Sequence, residues 1–91
     1  MNKEKKEWFK MPEEKIQGVV EALQELLDDK SVPKNVRSRI ENSITVLGES
    51  ADPSIRINKA LTELDQVSDD TNMQPYTRTQ IWNIVSLLEM I

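Results

Sequence analysis

The chain contains no cysteine and no histidine. Without cysteine there is no disulfide framework, no thiol nucleophile and no thiolate for zinc or haem. Without histidine there is no imidazole to serve as a general base near neutral pH. Gly18 and Gly48 are the only glycines. Two glycines cannot build a phosphate cradle, and no GxGxxG, Walker or GxSxG pattern occurs. No apolar run approaches the ~18 residues of a membrane span, and the N-terminus lacks the apolar stretch of a signal peptide. A cytoplasmic protein without a membrane partner is expected. Serines are present, but none has a lysine or carboxylate at a spacing that suggests an activated nucleophile. The oxygen-rich run Asp69-Asp70-Thr71-Asn72 lacks the glycine and terminal glutamate of a calcium loop. It reads instead as an acidic loop that pairs with Arg78, as Asp28-Asp29 does with Arg37. No catalytic residue, metal ligand or cofactor is assigned, and a non-enzyme is expected.

What is present is charge: 31% of the 91 residues are charged, against 37% hydrophobic. The net charge of −4 is unevenly spread, because residues 1–11 sum to +2 and residues 12–91 to −6. The chain therefore divides into a basic N-terminal tail, 1–11, and one domain, 12–91. An acidic body repels phosphate backbones, so nucleic-acid binding is disfavoured and only the tail could attract it. Trp8 and Phe9 beside the tail lysines could stack on a base or lie on an anionic membrane. The structural reading has Trp8, Phe9 and Met11 packing back on the domain while the lysines keep the terminus in water.

Four prolines set the organisation. Pro12, Pro33, Pro53 and Pro75 are separated by 21, 20 and 22 residues. Proline suits the first turn of a helix, where its missing N–H would have no partner, and it discourages helix just before it. After each proline the apolar residues recur at helical spacing: Ile16, Val19, Val20, Leu23, Leu26 and Leu27; Val36, Ile40, Ile44 and Leu47; Ile57, Ala60, Leu61, Leu64 and Val67; Ile81, Ile84, Val85 and Leu88. The spacing predicts helices at about 12–29, 34–48, 53–68 and 76–90. The fold class is all-α, a four-helix compact array or bundle with HEAT-like helical hairpins. About two such repeats fit the chain, fewer than an open solenoid needs, so closure into a compact array is expected.

Arg37, Arg56 and Arg78 each follow a proline by three or four residues, and acidic residues precede each proline. A cation in a first helical turn opposes the helix dipole. The three arginines are therefore expected to form structural ion pairs with carboxylates of the preceding loops.

The last helix has only Arg78 and Glu89 as charges between Tyr76 and Ile91. Its core stripe is Ile81, Ile84, Val85 and Leu88, flanked by Trp82 and Leu87. A helix so poor in charge is expected to be the hub contacted by the other three. Its opposite face, Thr79, Asn83, Ser86 and Met90, is small or neutral and is the candidate interaction surface, for a protein partner or a homo-oligomer.

The stretches Asp28-Asp29-Lys30-Ser31-Val32-Pro33-Lys34-Asn35-Val36-Arg37 and Thr71 to Glu89 resemble an uncharacterised family of small archaeal proteins of about 90 residues. The run Arg78-Thr79-Gln80-Ile81-Trp82-Asn83-Ile84-Val85-Ser86 is its specific signature. Met73-Gln74-Pro75-Tyr76 departs from the aliphatic residue that family carries soon after the proline. The resemblance implies an all-α fold and an archaeal, cytoplasmic protein, and it transfers no activity and no site residue. The functional expectation is a non-enzymatic protein-interaction module or small helical subunit. The alternative is a ribosome- or nucleic-acid-associated factor that uses the lysine-rich tail.

Overall fold

Proline decides where each helix begins. The structure, a computed structural model, describes residues 12–91. The tail and the packing expected of Trp8, Phe9 and Met11 lie outside them. The helices are α1 (Pro12–Leu27), α2 (Lys34–Leu47), α3 (Pro53–Asp65) and α4 (Pro75–Glu89), with no strand among the described residues. Pro33 caps α2 with an extended backbone at φ −60° and ψ 152°. Pro53 and Pro75 begin α3 and α4 directly after Asp52 and Gln74. Glu13 and Glu14 in the first turn of α1 complement its dipole.

α1 and α3 end earlier than the sequence spacing predicts. After Leu27 and Asp65 the chain tightens into three-residue bonds, Asp29 N–H to Leu26 O and Ser68 N–H to Asp65 O. These turns carry it out of the helix while still satisfying late carbonyls. Gly48 closes α2 at φ −92°, outside the left-handed region, and its amide reaches the carbonyls of Ile44 and Thr45.

The helices pack as a ring: α1 on α2, α2 on α3, α3 on α4, and α4 back on α1. Closure occurs as expected, but the hub does not. The broadest contact joins α2 and α3, and α4 rests mainly on α1 and α3. In a ring each helix has two walls, so among the described residues no third helix covers the outer face of α4.

The buried positions repeat. Ile16, Val19, Leu23, Leu26, Val32, Val36, Ile40, Ser43 and Leu47 are buried in the first half. Moving each by 41 positions gives Ile57, Ala60, Leu64, Val67, Met73, Thr77, Ile81, Ile84 and Leu88, which are also buried. The domain is thus two copies of one helical hairpin, α1–α2 and α3–α4, folded against each other. Each fully buried aliphatic side chain adds roughly 1.5–3 kcal/mol, so this stripe is the main stabilising contribution.

Candidate interaction surface

The arginines singled out by the prolines occupy the same place in three helices. Their amides bond to the capping carbonyls: Arg37 to Pro33, Arg56 to Asp52 and Arg78 to Gln74. Their guanidinium groups then reach back to the preceding helix end, where the acceptors are main-chain carbonyls rather than the expected loop carboxylates. Arg37 donates to Leu27 O at 2.6 Å and Asp29 O at 3.0 Å. Arg78 donates to Ser68 O at 2.6 Å and Asp70 O at 2.8 Å. Arg56, only 5% exposed, donates to Leu47 O at 2.8 Å. Among the described residues it is the one of the three with an ion pair, and its partner is Glu13 at the start of α1 rather than a preceding loop.

The physical reason lies in the unpaired carbonyls and partial negative charge at a helix C-terminus. A guanidinium crossing from the next helix meets both, and it offsets its own poor placement in a first turn.

The loop carboxylates organise the loops instead. Asp29 Oδ1 accepts the amide and hydroxyl of Ser31 at 2.9 and 2.7 Å. The Ser31 hydroxyl, then its amide and more weakly the Arg37 charge, hold the Asp29 carboxyl below its ordinary value. Asp70 Oδ1 accepts the Asn72 amide at 2.8 Å, and its other oxygen accepts from Asn35. Asp69-Asp70-Thr71-Asn72 is therefore a turn, and no metal-binding cluster of acidic residues occurs among the described residues.

The residues of the candidate surface lie together on one side of α4. Thr79, Asn83, Ser86 and Met90 are all exposed. The surface is also wider than expected. Trp82 and Leu87, read as flanks of the core, are 57% and 51% exposed, and Tyr76 is 65% exposed. At 100° per residue Trp82 borders one side of the neutral strip while Tyr76 and Leu87 border the other. Large apolar or aromatic residues on both edges of an uncharged strip make a surface of the kind that partners cover.

A groove joins this face on the α1 side. It holds about 470 Å³ and is lined by Glu14, Lys15, Gly18, Val19, Leu87, Met90 and Ile91. The seam it follows, α1–α4, is the counterpart of α2–α3 in the duplicated hairpin. There, Arg39 meets Glu63 at 3.0 Å and Lys59 meets Glu49 at 3.4 Å. Forty-one positions away, the same places hold Gln80 with Ala22, and Gly18 with Met90. Ion pairs bridge one seam, whereas among the described residues the uncharged Gln80, Ala22, Gly18 and Met90 leave the other without them. A Cβ at Gly18 would meet none of the described residues within 4 Å.

Among known proteins, an uncharacterised protein family, UPF0147, matches residues 2–91. The UPF0147 protein MJ1419 of Methanocaldococcus jannaschii is 45% identical over 83 residues, covering 90% of this chain and 89% of that protein. The UPF0147 protein TK2131 of Thermococcus kodakarensis is 41% identical over 80 residues, covering 86% and 96%. The crystal structure of the unknown-function protein MMP1188 superimposes with a TM-score of 0.84 at 39% identity, covering 89% of this chain and 93% of that one. A UPF0147 structure from Thermoplasma acidophilum gives 0.79 at 32% identity, covering 85% and 92%. Sequence profile, archaeal relatives and fold agree, and the chain belongs to the uncharacterised protein family UPF0147.

Proposed function

We propose that the chain is a non-enzymatic protein-interaction module of the cytoplasm, and that the outer face of α4 is its binding surface. One observation carries the reading: Trp82 and Leu87 stand more than half exposed beside the uncharged Thr79, Asn83, Ser86 and Met90. An interface core is depleted in charge and enriched in aromatic residues and methionine, which matches this face. The arginines argue against phosphate recognition by the folded domain, since Arg37, Arg56 and Arg78 are engaged by carbonyls.

The test is affinity capture from native extract with the full chain, its Asn83→Glu variant and a chain lacking residues 1–11. Capture that survives nuclease and loss of the tail, but not Asn83→Glu, supports the module. Capture that disappears with nuclease and with the tail supports the nucleic-acid alternative instead.

A further inference from the structure

We propose that the partner of the α4 face is a second copy of this chain, with the two α4 helices side by side and parallel. The inference rests on the reading of that face as a binding surface and goes further by naming what covers it.

Charge is the first argument. Residues 12–91 carry −6, so two copies repel wherever their acidic surfaces meet. The strip from Trp82 across Ser86, Thr79 and Asn83 to Leu87 has no charge, and copies can approach there without like-charge contact. Its two edges offer one complementary pair, Lys15 on one side and Glu89 on the other, with Glu14 sharing the first edge and Asp65 the second. Lys15 borders the groove beside Leu87, Met90 and Ile91, on the α1 side of α4. Glu89 borders the opposite side, against α3, beside Val85 and Leu61. Both lie at the C-terminal end of α4. When two copies set their α4 helices in parallel about a two-fold axis, opposite edges meet at the same height. Lys15 of each copy then faces Glu89 of the other, twice per dimer.

Area is the second argument. Aromatic side chains present about 150–250 Å² each, so Tyr76 and Trp82 together with Leu87 and Met90 offer on the order of 500 Å². Thr79, Asn83, Ser86 and the groove edge along Gly18 extend this toward the ~800 Å² per partner of a standard interface. The groove gives the edge of the other copy somewhere to sit, because no described residue lies within 4 Å of a Cβ built at Gly18.

The test uses the full-length chain carrying Trp8→Phe, so that Trp82 is the sole tryptophan. Sedimentation equilibrium and Trp82 emission are followed from about 1 to 100 µM, a range in which an interface of this size is populated. A dimer is expected, with emission moving to the blue as it forms. Asn83→Glu should raise the dissociation constant at least about tenfold while leaving the helical circular dichroism unchanged. Lys15→Glu and Glu89→Lys should each weaken the dimer, and together should restore it.

A chain that stays monomeric with constant emission overturns the dimer, as does a dimer indifferent to Asn83→Glu. A double swap without recovery overturns the parallel arrangement. If the monomer responds to removal of residues 1–11 by a change in Trp82 emission alone, the face belongs to the tail and the dimer is again overturned. Failure of the dimer is distinguishable from failure of the module. In the first case a monomer still captures another protein through Asn83, and in the second it captures none.

Discussion

Arg37 donates its Nη1 to the carbonyl of Leu27 at 2.6 Å, fastening the first turn of α2 to the last residue of α1. Arg78 does the same from α4 to the turn after α3, and its acceptors stand at the same sequence offsets of ten and eight residues. Arg56 repeats the contact across the join between the two hairpins. The arginine places an obligate cation against carbonyls that the helix itself leaves unpaired. Each loop is thereby closed by a side chain from the helix that follows it.

Arg56 should matter most of the three. It is nearly buried, it holds Leu47 O, and it reaches Glu13 on α1. Arg56→Ala is expected to cost about 2–3 kcal/mol, the range for hydrogen bonds to charged groups. Arg37→Ala and Arg78→Ala, at half-buried positions, should cost about 1–2 kcal/mol. Arg56→Lys keeps the charge but loses the fork, so it should recover only part of the loss. Urea unfolding of the four variants checks the order, and losses near zero throughout would refute the role given to these contacts.

Acid should loosen the α2–α3 seam. Glu63 accepts from Arg39 at 3.0 Å and from Asn42 at 3.3 Å. The hydrogen bond from Arg39 is the main reason its carboxyl sits below the ordinary glutamate value. A folded value below the unfolded one means that ionisation favours folding. That contribution is complete above the unfolded value and is lost as pH falls through the folded one. Stability is therefore expected to hold between about pH 7 and 5 and to decline below about pH 4. Glu63→Gln should show a shallower decline over the same window in thermal melts. Equal slopes for parent and variant would remove Glu63 from the account.

Two adjacent leucines on α4 should behave oppositely. Leu88 is 1% exposed and packs in the stripe with Ile81 and Ile84. Leu88→Ala should cost about 2–5 kcal/mol, the range for buried leucines. A domain of this size holds about 5–15 kcal/mol in total, so its melting point should drop markedly. Leu87 is half exposed, and Leu87→Ala in the monomer should change stability by no more than about 0.5 kcal/mol. Comparing the two by calorimetry at a concentration below any dimerisation tests the orientation of α4 directly.

Much of this architecture was legible from the prolines, because a ring at a first helical position leaves few alternatives for the backbone. The helix starts followed. The acceptors of Arg37 and Arg78 were not legible, since Asp29 and Asp70 supply carbonyls where their carboxylates were the visible signal. On the candidate surface, Thr79, Asn83, Ser86 and Met90 were read from the helical wheel, but Trp82 was placed beside the core. That placement assumed three neighbours for α4, and the ring supplies two. The groove escaped notice because it depends on the 41-residue duplication, which lives in burial more than in residue identity. Ser43 answers to Ile84, and Val36 to Thr77. The equivalence of Lys59 with Gly18 becomes visible only when both seams are laid side by side.

Thr77 offers a final test of that duplication. It is 1% exposed, and its hydroxyl has no hydrogen-bond partner among the described residues. Forty-one positions earlier Val36, with a methyl where threonine has the hydroxyl, is fully buried at the same point of the other hairpin. A buried hydroxyl without a partner costs about 1–3 kcal/mol of desolvation that a methyl group does not incur. Both side chains branch at Cβ and fill nearly the same volume, so the exchange leaves packing and rotamer preference intact. Thr77→Val should therefore stabilise the domain by about 1 kcal/mol and raise its melting point by roughly 4–8 °C, the response of a domain this small. Val36→Thr should destabilise it by a similar amount, because the hydroxyl enters an equally buried site. If Thr77→Val is destabilising instead, the hydroxyl has a partner and the equivalence of the two positions ends at their burial. If both changes move stability as expected, the two hairpins share their packing as well as their spacing.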